Sequence, residues 1–194
     1  MRIRAPVLLV FLAVLAVPDH AGAQQEGGRE AHAYLGASLG TTRLHDQTST
    51  MAGGALLLSL DGRLAFGGGG WVMLGGDTVE GQASGSRYDF RMSYGGLMAQ
   101  ARILGRPRAA LELRTLVGAA NAKVRLPVVN TLIAADNFGV VEPEVVGSFR
   151  ILPGLDAQAS VAWRWTFGVQ DLPGLSPNDL RGFSARIGLA IENF

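Results

Sequence analysis

The sequence predicts an all-β fold, an eight-stranded antiparallel up-and-down transmembrane β-barrel with ten strands as its variant. Three observations predict it. Segments of about ten residues alternate between apolar and polar side chains, the links joining them alternate short and long, and aromatic residues gather at strand ends. The clearest segment is 156–167, D-A-Q-A-S-V-A-W-R-W-T-F. Side chains of a strand alternate with period two, so Ala157, Ala159, Val161, Trp163, Trp165 and Phe167 share one face. Asp156, Gln158, Ser160, Ala162, Arg164 and Thr166 share the other.

Ahead of the strands, Arg2 and Arg4 precede an apolar run at 7–17, then Pro18 and the small-residue site Ala21-Gly22-Ala23. A basic start, a short apolar core and an A-x-A ending predict a cleaved secretory signal peptide, residues 1–23. The barrel domain is then 24–194, long enough for one domain. Losing Arg2, Arg4 and Asp19 from 17 basic and 16 acidic residues leaves 15 of each. A neutral chain lacks the basic surplus of nucleic-acid-binding domains, so nucleic acid is not expected as a partner. The chain has no cysteine. Disulfide stapling, thiol chemistry and a lipid-anchored cysteine are therefore excluded. Beyond the leader no apolar stretch is long enough for a transmembrane helix.

Strands are expected near 32–40, 50–60, 63–74, 88–104, 108–118, 138–151, 155–167 and 181–192. Asp61-Gly62, Gly105-Arg106-Pro107 and Leu152-Pro153-Gly154 are turn signals that make three of the links tight. The other links, near 41–49, 75–87, 119–137 and 168–180, are longer. Strict alternation is what an outer-membrane barrel needs, with short periplasmic turns and long external loops.

Odd strands then run outward and even strands inward, which collects Trp71, Phe90, Phe138, Trp163, Trp165, Phe167 and Phe183 at one rim. That is the expected outer aromatic girdle, because amphipathic rings favour the hydrocarbon–headgroup boundary. Tyr34, Phe66, Phe149 and Phe194 fall near the opposite rim.

The polar faces define a candidate lumen. The strand near 138–151 carries Glu142, Glu144 and Arg150 on one face, and charges on lipid or on an oily core need partners. A loop of three or five residues centred on Pro153 sets Arg150 opposite Asp156 and Glu142 opposite Arg164. Opposed pairs of this kind contribute about 0.2–1 kcal/mol each. The neighbouring strands add Glu112 and Arg114, then Arg186 and Glu192. The expected lumen charge network is thus Glu112, Arg114, Glu142, Glu144, Arg150, Asp156, Arg164, Arg186 and Glu192, acting as filler in a barrel just wide enough for side chains.

Two strands break the rule. Residues 56–60 and 64–66 place leucine on both faces, and Gly67, Gly68, Gly69 and Gly70 run together. No G-K-[ST] follows, so a bulge or room for a bulky neighbour explains the glycines better than a phosphate loop. In the next strand Phe90, Met92 and Tyr94 argue for one outward face, whereas Ala99, Ala101 and Ile103 argue for the other. A bulge near Gly95-Gly96 would reconcile them. The link 119–137 contains Val124, Leu126, Val128, Val129, Leu132 and Ile133, too apolar for a freely solvated loop. It extends the flanking strands as a hairpin, folds over the lumen, binds a partner or adds two strands.

Catalytic signals are weak. His32 and His45 lie near no serine and carboxylate at recognisable spacing, and two histidines do not make a metal site. Glu142 and Glu144 could be paired acid and base, as in glycoside hydrolysis, but lumen pairing explains them more simply. No enzyme activity, catalytic residue, metal or cofactor is expected.

With its leader, its alternating links and strands and its terminal Phe194, 24–194 resembles the small eight-stranded outer-membrane proteins, the group of OmpX, OmpW and the OmpA membrane domain. That resemblance implies the cell outer membrane as location and outer-membrane lipid as surroundings. It also implies the barrel assembly machinery as a partner through the C-terminal strand. The implied role is envelope integrity, surface adhesion or limited small-solute passage, with the long loops as the place for a surface partner. Two rivals are a lipid-modifying enzyme of the same architecture and a soluble secreted barrel around an apolar ligand. The first needs histidine and serine together on a lipid-facing strand. The second needs leucines inward and charges outward.

Overall fold

A computed structural model of the chain describes residues 32–44, 47–59, 63–75, 77–80, 87–126, 131–170, 172 and 175–193. The expected leader, His45, the Asp61-Gly62 turn and Phe194 lie outside the described residues.

Among the described residues nine strands form one sheet: β1 (His32–Leu44), β2 (Gln47–Ser59), β3 (Leu64–Met73), β4 (Asp77–Glu80), β5 (Arg87–Arg106), β6 (Ala109–Leu126), β7 (Thr131–Leu152), β8 (Leu155–Phe167) and β9 (Gly182–Asn193). Eight of them close into an antiparallel up-and-down ring. β3 pairs with β5, and β1 pairs with β9 from Ala33 opposite Asn193 to Thr42 opposite Ser184. β4 stands outside the ring, paired only along the start of β5. Closure leaves the ring itself without an edge, so its backbone groups pair internally, as a strand-built membrane wall requires.

The outer wall is apolar. Leu39, Leu56, Leu97, Leu113, Val117, Val145, Val161, Ile187 and Leu189 are all exposed, while Glu112, Arg114, Glu142, Glu144, Arg164 and Arg186 at alternate positions are buried. A soluble barrel around an apolar ligand would invert this pattern.

The tight turns lie at one end. Pro107 and Arg108 join β5 to β6, with Arg106 opposite Ala109. Pro153 and Gly154 join β7 to β8, with Leu152 opposite Leu155 and a one-residue bulge at Ile151. Gly154 has φ +76°, the left-handed conformation a Pro-Gly turn of type II demands. The bulge restores Arg150 opposite Asp156, so the register that matches the charges is kept with a tighter turn than the three or five residues expected.

At the other end β5, β6 and β7 rise above their neighbours. Residues 119–126 and 131–137 extend β6 and β7 as one paired ladder, with an irregularity after Val124, as far as Leu126 opposite Thr131, and add no strand to the ring. The segment after β8 turns back into the barrel mouth and carries one short helix, α1 (Pro177–Leu180).

Gly67, Gly68, Gly69 and Gly70 sit in regular pairing without a bulge, which leaves room for a bulky neighbour as their explanation. The bulge expected near Gly95-Gly96 is corrected. β5 keeps one facing through Gly95-Gly96, and its irregularity comes later, between Arg102 and Leu104. Phe90, Met92 and Tyr94 therefore face inward with Met98 and Gln100.

Candidate functional site

Several strands place a lumen charge beside a complementary side chain of a neighbouring strand. Gln100 opposes Arg114, and Arg114 opposes Glu144. Ser160 opposes Arg186 across β8 and β9. The register alone thus assembles most of a belt around the interior at mid-height.

Glu142 and Glu144 lie at the centre of that belt, both buried. Glu142 accepts hydrogen bonds from Arg186 at 2.6 Å and from the Tyr94 hydroxyl at 2.7 Å, with Arg164 at 4.0 Å. Glu144 accepts from Ser160 at 2.6 Å, Arg186 at 3.1 Å and Arg114 at 3.5 Å. Arg114 also donates to Gln100 at 2.8 Å and to the Tyr34 hydroxyl at 2.9 Å, while Tyr34 donates to Gln158 at 2.6 Å. A buried ion pair is tolerated only when its remaining donors and acceptors are met, and here tyrosine, serine and glutamine meet most of them.

Aromatic faces complete the belt. The Arg186 guanidinium lies 4.2 Å from the Trp71 ring, and the guanidiniums of Arg164 and Arg114 each lie 5.3 Å from the rings of Tyr94 and Tyr34. Trp71 stacks on Tyr94 at 5.6 Å. Cations within about 6 Å of a ring face are attracted to it, most strongly where water is excluded.

Arg102, Glu112, Arg150, Asp156 and Glu192 form a second group at the turn end. Arg102 bridges Glu112 at 3.3 Å and Glu192 at 3.5 Å; Arg150 bridges Asp156 and Glu192, each at 3.2 Å. The nine charges expected in the lumen face inward, five in the mid-height belt and four, Glu112, Arg150, Asp156 and Glu192, in this group at the partly exposed turn end.

The expected girdle divides. Trp163, Trp165, Phe167 and Phe183 face out, about half exposed. Trp71, Phe90 and Phe138 do not belong with them: they are 4%, 2% and 4% exposed and face the lumen. Their position along the strand is correct and their parity is opposite. Tyr34 faces inward as well. Trp71 fills space over the arginines, whereas Phe90 and Phe138 form an apolar cluster with Leu44, Met51, Met92, Val124 and Val140.

That cluster receives the segment between β8 and β9. Leu172, Leu175 and Leu180 are buried in it. Arg164 donates to the Leu180 carbonyl at 3.0 Å, Thr166 to the Pro177 carbonyl at 2.7 Å, and the Gln170 backbone N–H to Asp136 at 2.8 Å. Pro177 suits the first helical position. Asp179 accepts from both the backbone and the hydroxyl of Ser176 at 2.7 Å, which fixes the turn of α1. The loop end of the lumen is thereby plugged by apolar packing above the polar belt.

The lumen residues that sequence reasoning misses are Tyr34, Tyr94, Gln100, Arg102 and Trp71. Arg102 could not have been paired with Glu112 without the bulge at Ile103, for which the sequence carries no signal. Ser59 opposes His32 across β1 and β2, a juxtaposition also missed. The nearby Glu192 is engaged by Arg102 and Arg150. Among the described residues no group of three or more His, Asp or Glu is placed to hold a metal ion.

An edgeless ring with an apolar outside and a filled polar inside defines a small membrane-spanning β-barrel. Comparison with known proteins points the same way. No family model matches the chain, and no curated protein does. Among solved structures it resembles a major outer membrane protein of Thermus thermophilus, with 13% identity, 84% of this chain and 100% of that one covered, and a TM-score of 0.58. It also resembles neisserial surface protein A (12% identity, 86% and 99% covered, TM-score 0.57). A third is Ail, the attachment invasion locus protein of Yersinia pestis (10% identity, 86% and 99% covered, TM-score 0.53). The chain has the fold of the small eight-stranded outer-membrane barrels.

Proposed function

We propose that this chain is an outer-membrane β-barrel whose role is structural and interactive rather than catalytic. Its tight turns face the periplasm and its long loops face outward. The carrying observation is the pairing of an apolar wall with a filled interior: Glu142 is engaged by arginine and tyrosine, Glu144 by arginine and serine, and Leu172, Leu175 and Leu180 close the mouth above them. Of the roles open to this architecture, envelope integrity and adhesion fit a closed interior better than solute passage. Outer-membrane lipid surrounds the wall, and β9 is the strand that the barrel assembly machinery would read.

The working surface is then the raised wall of β5, β6 and β7. Its outer side pairs Arg91 with Lys123 and Asp89 with Arg125. Ail has been solved with the heparin analogue sucrose octasulfate, and a basic wall of this kind supports a sulfated or otherwise anionic glycan as surface partner.

The test is electrophoretic and electrical. Protein extracted from washed outer membranes should resist SDS until boiled and then change mobility, since a closed barrel offers no edge to attack. In planar bilayers it should give no long-lived conductance. A soluble protein without a heat-dependent shift would end the reading, and a steady open channel would return solute passage to first place. Retention on immobilised heparin that is lost in Lys123→Glu checks the surface partner.

A further inference from the structure

We propose that the turn end of the barrel holds a binding site for a phosphate group. A concave pocket of about 240 Å³ opens there, with Arg102, Arg106, Arg108 and Arg150 around it. Its acidic members are Asp156 and Glu192. Arg102 is bridged by Glu112 and Glu192, and Arg150 by Asp156 and Glu192, so four guanidiniums meet three carboxylates and the positive excess falls on Arg106 and Arg108. Arg106 and Arg108 flank Pro107 at the tip of the β5–β6 turn, and both are exposed. Among the described residues their side chains make no hydrogen bond or ion pair, which leaves two forked donors uncommitted at the rim.

The concavity has a local cause. Ala110 and Ser148 are register partners across β6 and β7, and both line the pocket. Two small side chains under a ring of long ones leave the hollow. Guanidinium presents paired N–H groups that match phosphate oxygens, and several can converge on one tetrahedral anion. Just outside the same strand ends Leu104, Phe149, Ile151 and Leu152 are exposed. A phospholipid could lay its acyl chains on this apolar skirt while its headgroup reaches past the turn into the pocket; free phosphate would need only the pocket. Assigning the site to the periplasmic face rests on the orientation proposed above, whereas the binding itself does not.

The test uses the full barrel in detergent. Inorganic phosphate is titrated calorimetrically, and native mass spectrometry follows retention of phosphatidylglycerol against phosphatidylcholine in equal amounts. Wild type should take phosphate, or retain phosphatidylglycerol selectively, and Arg106→Ala/Arg108→Ala should weaken either at least tenfold while keeping the heat-dependent SDS shift. Phosphate binding without lipid selectivity identifies a soluble source; selective lipid retention identifies a headgroup site. Neither binding, or equal binding by the double variant, overturns the proposal. Should that variant fail to fold, Ser148→Glu places a carboxylate in the pocket and must abolish binding for the proposal to stand. If the protein is soluble and shows no heat shift, the membrane reading fails first, and the phosphate titration still decides the pocket.

Discussion

The wall made of β6, β7, β8 and β9 and the wall made of β1, β2, β3 and β5 fill the same lumen by opposite means. The first supplies long charged side chains at mid-height, namely Arg114, Glu142, Glu144, Arg164 and Arg186, and turns Trp163, Trp165 and Phe183 to the outside. The second turns Tyr34, Trp71 and Tyr94 inward and makes room for them with a row of small inward residues. Gly36, Ala55, Gly69 and Gly96 are register partners in sequence across its four strands, and Gly118 of β6 continues the row. A narrow barrel cannot hold bulky residues projecting from every direction at one height. One wall is therefore thin where the other is thick, and the guanidiniums of the thick wall end on the ring faces of the thin one. Gly69 in the glycine run of β3 thus leaves space for Met98, as Gly53 of β2 does for Trp71, and the run is not a bend.

The comparison can be broken most severely at its centre. Glu142→Ala strips Arg186 and Arg164 of a buried carboxylate and leaves Tyr94 without its acceptor, so unfolding in detergent and urea should show a loss of about 3–5 kcal/mol. A loss below roughly 1 kcal/mol would mean that the belt is not what the thick wall contributes. The lipid face is tested next. Val161→Arg should cost about 2–4 kcal/mol at mid-bilayer depth, while Ser160→Arg, on the inward face, should not follow the depth rule. Equal penalties at the two sites would undo the face assignment of β8.

The thin wall is probed by Gly69→Ala. A methyl group there would run into the Met98 sulfur, and overpacking of this kind costs about 1–3 kcal/mol. Adding Met98→Ala should recover part of the loss, and a double variant no better than the single one would show that the Gly54 carbonyl of β2, and not Met98, demands glycine there. The smallest effect belongs to the half-exposed mouth. Arg150→Glu should destabilise by roughly 1 kcal/mol or less, and Asp156→Arg added to it should restore the difference, which sharpens the β7–β8 register by a double-mutant cycle.

How far the sequence can be read differs between the two walls. In β8 every large apolar residue lies on one face, so Trp163 and Arg164 are assigned from alternation alone. In β5 both faces carry apolar side chains, and period two then gives two faces without saying which is lipid. Phe90 accordingly reads as part of the girdle, as Trp71 does from its place near the rim. The polar partners of the network are invisible for a different reason. Tyr34, Tyr94 and Gln100 meet Arg114, Arg186 and Glu142 from 14 to 92 positions away in sequence, and nothing local marks them.

Composition, the apolar–polar alternation, the alternating link lengths and the turn signals at Pro107 and Pro153 were enough to determine an up-and-down barrel, the direction of its charges and the opposition of Arg150 and Asp156. These are local properties of strands and turns, set by the two-residue period and by backbone sterics. Ring closure decided the rest. The inward rotation of Trp71, Phe90 and Phe138, the glycine row beneath them, the bulge after Arg102 and the seating of Leu172, Leu175 and Leu180 in the mouth depend on how much volume the opposite wall already occupies, a quantity no single strand records.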